Sequence, residues 1–269
     1  MAIDSTLFAA DIPAGTYAVG DVVQLGCIDG PANVRSGRGA AKLKTIVCGQ
    51  FGSATPFWKI HVKNSDWIDD VESFAGVIYQ QPTVFADESG AVQNGHDCEL
   101  TQNSGWQVWA ECVVAGTPTG ANSIFALIDI DYPQVGGVTD PKKAVGYPTS
   151  IPYTKGSISI PTYGSLTTTP WVTENIDYLK AGYKYVLDAV ELGCSAANTA
   201  GFVAFSNAAG MGGLTRIIPV TANISGIRHS IKYSSILVKG PMDVKLKLMN
   251  TAAVTADIYM AHDYVKQKA

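Results

Sequence analysis

The chain has 269 residues and a formal net charge of −4, with 46% hydrophobic but only 16% charged residues. That is apolar material enough for one large β domain or two ordinary ones, and the acidic balance argues against a general nucleic-acid binder, which favours a basic domain. The charged fraction falls well below the roughly 25% of an average soluble protein, as expected where a partner or neighbouring copies cover much of the surface.

The opening stretch, MAIDSTLFAADIPAG, has no basic n-region and carries Asp4, so it does not read as a secretory signal. No segment reads as transmembrane. Helix-period stripes are almost absent. Instead TYAVGDVVQLGC (16–27), WKIHV (58–62), WQVWAECVV (106–114) and SIFALIDIDY (123–132) place apolar residues at alternate positions over much of their length, the pattern of a half-buried strand. Residues 65–105 read as loops around one strand, AGVIYQ (75–80). Between 132 and 171 lie six prolines among repeated Gly, Ser and Thr, which no sustained helical period survives. This stretch reads as a long connection holding at most one short strand, SISI (157–160), and serving as a linker or as an arm along another subunit. Strands resume at 183–194, 201–206, 215–220, 230–239, 244–250 and 256–265. In VKLKL, Val244, Leu246 and Leu248 face one way and Lys245 and Lys247 the other. ENIDYLKAGYKYVLDAV (174–190) is the best helix candidate, yet Gly182 and the aromatic, β-branched run after it favour a strand from Tyr183.

The pattern predicts an all-β chain of two antiparallel β-sandwich domains of jelly-roll type, at 1–133 and 173–269, joined by a Pro/Gly/Ser/Thr-rich connection at 134–172. The five cysteines, Cys27, Cys48, Cys98, Cys112 and Cys194, show no C-x-x-C or zinc spacing and are expected to be reduced thiols buried in strands.

Chemistry-bearing motifs are sparse. NVRSGRGAAKLKTIV (33–47) gathers Arg35, Arg38, Lys42 and Lys44 around Gly37 and Gly39. GRGAAK begins like a dinucleotide loop but has Lys42 where the third glycine belongs, and a strand rather than a helix is expected next, so no phosphate cradle forms. Nucleic acid is not an expected partner: Trp58 and Trp67 could stack on bases, but they read as core, and acids follow at Asp66, Asp69, Asp70 and Glu72. His61, His96, His229 and His262 show no metal-ligand spacing; HDCE (96–99) reads as a polar loop, because neighbours on a strand point to opposite faces. Asp129 and Asp131 should share a face, open to a cation or a glycosidase-like pair but more simply the solvent side of a strand. Trp106 and Trp109 suit sugar stacking, but their spacing puts them on opposite faces. No G-x-S-x-G or Cys/His signature appears. The chain is expected to be no enzyme and to need no cofactor or metal.

IDGPANVRSGRGAAKLK (28–44), within 20–48 and followed by FWKIHVKNSDW (57–67), resembles uncharacterised structural proteins of tailed bacteriophages. The C-terminal strands are similar to capsid-decoration and fibre-base sandwiches in pattern. The resemblance implies a virion component made in the host cytoplasm and carried on the capsid surface, a decoration or cement protein. Its partners would be the major capsid protein and copies of itself, most simply as a homotrimer, with no membrane involved. Arg35, Arg38, Lys42 and Lys44 would then form the docking loop. The alternative is a host-recognition or carbohydrate-binding module of a head spike or tail.

Overall fold

The computed structural model describes residues 2–28, 41–53, 55–64, 70–79, 93–100, 106–132, 148–176, 183–207, 215–222, 226–230, 236–239 and 242–268. Every regular element among them is a strand. The chain divides into two compact units, Met1–Val138 with Tyr163–Thr168, and Thr139–Thr162 with Thr169–Ala269.

The first unit contains β1 (Ala2–Ile12), β2 (Val22–Ile28), β3 (Ala41–Phe51), β4 (Phe57–Asn64), β5 (Asp70–Tyr79), β6 (Gln93–Leu100), β7 (Trp106–Val114) and β8 (Asn122–Tyr132). They run in the order β1-β8-β3-β5-β4-β7-β2, with β6 also on β3. β5 joins two layers: Asp70–Ala75 pair antiparallel with β4, and the end of the strand pairs parallel with β3. The layers close on one core, with Leu43, Ile46, Ile124 and Ile128 on one side and Trp58, Ile60, Trp106 and Val108 on the other. Each such side chain contributes roughly 1.5–3 kcal/mol when fully buried. The two end strands meet where the Phe8 ring lies over Gly26; a Cβ there would come 2.6 Å from the ring, so only glycine fits.

β8 is buried on both faces from Asn122 to Ile130. On its outer side Phe125 packs at 5.5 Å from Phe51, and Phe51 stacks at 5.7 Å on Tyr163. Residues 163–168 thus form a strap over this layer. Asp11 fastens it, accepting hydrogen bonds from Leu166 N (2.8 Å), Thr167 N (3.2 Å), the Thr167 hydroxyl and Ser123 Oγ (2.7 Å). Gly164 (φ +85°) lies so close to Ala121 that a Cβ would fall 2.4 Å from that methyl.

The second unit contains β9 (Pro148–Ile160), β10 (Val172–Ile176), β11 (Tyr183–Cys194), β12 (Thr199–Asn207), β13 (Thr215–Ala222), β14 (Ile227–Ser230), β15 (Ile236–Lys239), β16 (Met242–Met249) and β17 (Val254–Lys268). One sheet runs β10-β16-β12-β13 and the other β14-β11-β17-β9, with β15 also on β11. Their inner faces share a core that includes Val190, Leu192, Phe205, Leu246 and Ile258. In both units most neighbouring strands are distant in sequence, the crossover connectivity of jelly-roll-like sandwiches.

Several expectations change. β9 begins at Pro148, well before SISI. It ends its sheet, and an edge strand tolerates the prolines at 148 and 152 that a central ladder would not. HDCE lies within strand β6, and β5 starts at Asp70 rather than Ala75. The helix candidate at 174–190 resolves into the end of β10 and the start of β11, with 177–182 outside the described residues. Lys247, which faces away from Val244, Leu246 and Leu248, is nonetheless only 9% exposed, its ammonium 5.3 Å from the Trp171 ring centre. Cys48, Cys112 and Cys194 are buried free thiols on strands, but Cys27 is exposed.

Candidate functional site

Two surfaces of the first unit bring chemistry together. The first is the end of the sandwich where the basic segment attaches. Ile28 and Asn64 both pair with Trp106, Lys63 with Asp70, Ala41 with Leu100, and Lys42 with Asp131. The strand ends flanking 29–40, 65–69 and 101–105 therefore gather at one end. Arg35 and Arg38 lie outside the described residues. Lys42 and Lys44 lie on β3, which follows the segment directly as a strand, so no helix N-terminus is present there to receive a phosphate. Lys42 stands in register between Glu99 and Asp131, giving it an acidic cross-strand neighbour on either side. Lys44 falls where the registers of β3 with both β6 and β8 shift.

The second surface is the outer face of the β2-β7-β4-β5 layer. Core packing fixes it, because Trp106, Val108, Ala110 and Cys112 point inward and Gln107, Trp109 and Glu111 outward. Register lays the layer out in rows. Val22, Glu111, Lys59 and Phe74 form one; Gln24, Trp109, His61 and Glu72 the next; Cys27, Gln107, Lys63 and Asp70 the third. Nε2 of His61 lies 2.7 Å from Oε2 of Glu111, and its Nδ1 3.6 Å from Oε1 of Glu72. Lys59 Nζ donates to Glu72 Oε1 at 3.0 Å and lies 4.0 Å from Glu111 Oε2. The His61 side chain is 6% exposed and the two glutamates 36% and 48%. Trp109 is half-buried, and its Nε1 donates to Gln107 Oε1 at 2.9 Å, which pins the indole. Gln24 is exposed; its Nε2 donates to Cys27 Sγ at 3.3 Å.

The remaining candidates separate. Trp58 and Trp106 are core residues. Asp129 is not on a solvent face: it is buried and accepts from Ser5 Oγ at 2.6 Å. Trp67 and the side chains of Asp131, His96, His229 and His262 lie outside the described residues. Among the described residues no group of three or more His, Cys, Asp or Glu side chains could hold a metal ion. Sequence reading missed the His61–Glu111–Glu72–Lys59 quartet, since its members meet only through strand pairing.

No protein-family model matches the chain, and no curated protein matches its sequence. Among solved structures it is similar to cowpea mosaic virus top component, a naturally occurring empty particle, with 11% identity over 98% of this chain and 89% of that one, TM-score 0.25. It is similar to the PBCV-1 virus capsid, with 10% identity over 97% and 94%, TM-score 0.23. It is also similar to N-glycanase F, with 8% identity over 99% and 96%, TM-score 0.28. Viral coat proteins thus stand beside an enzyme, and none of the three superposes closely.

Proposed function

We propose that the chain is a non-enzymatic structural protein of a virion, a decoration or cement protein that docks on the capsid surface and assembles with copies of itself. The observation that carries this reading is the placement of the basic segment. It leaves β2 and re-enters at β3, connecting the two layers at one end of a packed sandwich. On this reading the segment offers its arginines to a partner, and Arg35 and Arg38 match carboxylates on a neighbouring subunit bidentately. The weakly charged composition suits an assembled surface, and docking also covers strand edges.

The test is the double substitution Arg35→Ala/Arg38→Ala. Occupancy on the particle, or oligomer dissociation followed by light scattering, should weaken while the melting temperature stays within the range of surface substitutions. Truncating a buried interfacial charge pair typically costs ~2–5 kcal/mol and a rim pair far less. Unchanged assembly with a lowered melting temperature assigns the segment an internal role. A monomer in solution, with isolated single copies on the particle, removes the self-assembly part.

A further inference from the structure

We infer that Val19, Val22 and Val114 form the contact through which copies of this chain associate, the patch of each copy meeting its own equivalent about a symmetry axis. The inference rests on the self-assembly part of the proposed function and names the surface that would carry it.

Among the described residues of the first unit, every large apolar side chain left exposed is in this patch: Val19 is 67% exposed, Val22 60% and Val114 48%. A tight turn and a ladder bring them together. Gly20, at φ +93°, makes the turn from Ala18 to Asp21. It is closed by Asp21 N donating to Ala18 O at 3.1 Å and by Ala18 N donating to Asp21 Oδ2 at 2.8 Å. Gly20 N donates in turn to Cys112 O at 2.9 Å, and Cys112 N to Asp21 O at 2.8 Å. Val19 and Val22 thus flank a turn bonded to Cys112, two residues before Val114. Turn tips favour Gly, Pro, Asn, Asp and Ser, so an exposed valine there serves neither the turn nor the core. β2 runs from Val22 to Ile28 and β7 from Trp106 to Val114, which sets the patch at the opposite end of the sandwich from the basic segment.

Charge selects the occupant. Residues 12–22 and 112–122, with the 52–57 segment on which Gly116 packs, hold a single charged side chain, Asp21. The next acid, Glu111, stands beside Val22 in register and is already paired with His61 at 2.7 Å, with Lys59 at 4.0 Å. A partner recognised by opposite charge finds little to match here. Identical copies, each at −4, repel one another and join best where few like charges are brought together. Interface cores are depleted of charge in the same way. A two-fold contact, or a ring closed at this end, sets each patch against its equivalent and leaves the basic segment free at the other end. The surface is also ordered in advance. The Tyr17 ring packs edge-on to Trp58 at 5.7 Å, and its hydroxyl donates to Pro13 O at 2.8 Å. The Gly15 and Tyr17 amides donate to the Pro118 and Gly116 carbonyls. Valine has few rotamers to lose, so little conformational entropy opposes docking.

Sedimentation velocity of the full chain over a concentration series reads the association. The wild type should associate as concentration rises. Val19→Asp and Val19→Lys, at an exposed turn position, should leave the circular-dichroism spectrum and Tm unchanged. Each should raise the dissociation constant about a hundredfold or more, because like charges are then set against each other. Val114→Asp should act in the same way. An equimolar mixture of Val19→Asp and Val19→Lys chains should associate again, since opposite charges now meet. Folded Val19→Asp and Val114→Asp variants that associate as tightly as the wild type overturn the inference and leave the proposed function standing. Dissociation by Arg35→Ala/Arg38→Ala but not by Val19→Asp does the same and moves the contact to the basic segment. A mixture that stays apart overturns the meeting of equivalent patches. A wild type that is a monomer at every concentration overturns the inference together with the self-assembly part of the proposed function.

Discussion

Asp11→Ala should detach the 163–168 strap from the first sandwich. The carboxylate at Asp11 receives the Leu166 and Thr167 amides, the Thr167 hydroxyl and Ser123 Oγ. Thr167 is exposed, so water replaces its share once the carboxylate is gone. Leu166 and Ser123 are 1% and 0% exposed, so water does not readily take the place of the charged acceptor, and Leu166 N keeps only its longer bond to Ser123 Oγ at 3.3 Å among those at the strap's Asp11 anchor. Hydrogen bonds to charged groups contribute about 1.5–3 kcal/mol each. Taking the low end for these two gives a loss of about 3 kcal/mol, or roughly 6–12 °C in Tm for a unit of this size. Differential scanning calorimetry measures the shift, and limited proteolysis should show faster cleavage between 161 and 171. Asp11→Asn, which keeps one acceptor oxygen but not the charge, should fall between wild type and alanine. A Tm for Asp11→Ala within about 1 °C of wild type, with unchanged proteolysis, would refute the fastening role; a single surface change moves stability by no more than about 0.5 kcal/mol.

Native-state alkylation at pH 8 should modify Cys27 first and leave Cys48, Cys112 and Cys194 protected until denaturant is added, as peptide mass spectrometry will report. Burial pushes the Cys48 thiol far above its usual range, and burial with the Asp21 charge raises Cys112. The unfolded chain therefore loses these protons first, so stability should be flat below the ordinary thiol value near pH 8.5 and fall above it. The slope reaches about 1.4 kcal/mol per pH unit for one thiol; urea unfolding at pH 8 and pH 10 checks it, and Cys48→Ala should flatten it. Gly201→Ala should cost at least about 1–3 kcal/mol in urea unfolding, because its Cβ would lie 2.0 Å from the Lys247 carbonyl oxygen, which is backbone and cannot rotate away. Gly15→Ala, with nothing within 4 Å, is the control and should be neutral.

The strands most legible in the sequence are those with one core face and one wet face. In β7 the parity of Trp106, Val108, Ala110 and Cys112 against Gln107, Trp109 and Glu111 is visible without coordinates, and 106–114 matches the strand at both ends. The bounds of β11 match too. β1 was invisible because AIDSTLFAADI has no clean alternation; its register comes from the ladder with β8, eleven paired residues long. β6, QNGHDCEL, reads as a loop by composition yet is held by pairing with β3. Part of the outer-side burial of β8 comes from the strap, a segment more than thirty residues downstream that packs on Phe51 beside Phe125 and bonds at Ser123, so no local window could explain it.

The outer-face chemistry was half legible. The spacing of Trp106 and Trp109 showed that one ring must be outside. Parity could have named it, since Trp109 keeps company with Gln107 and Glu111. The partners of His61 could not be found this way: Glu72 and Glu111 reach it through the registers of β4 with β5 and β7. That register is fixed from the other side of the sheet. Slipping β4 by one residue would carry His61 into the core and expel Ile60, which is fully buried. Losing that burial alone costs about 1.5–3 kcal/mol, before any cost of parting the buried imidazole from Glu111 and Glu72. The arrangement of Trp109, His61 and the two glutamates is therefore held by Ile60, Val62, Val108 and Ala110, not by the ion pairs between the outer residues. Exposed ion pairs contribute about 0–1 kcal/mol, too little to choose a register. It follows that outer-face positions can be substituted singly with the rest of the lattice left in place.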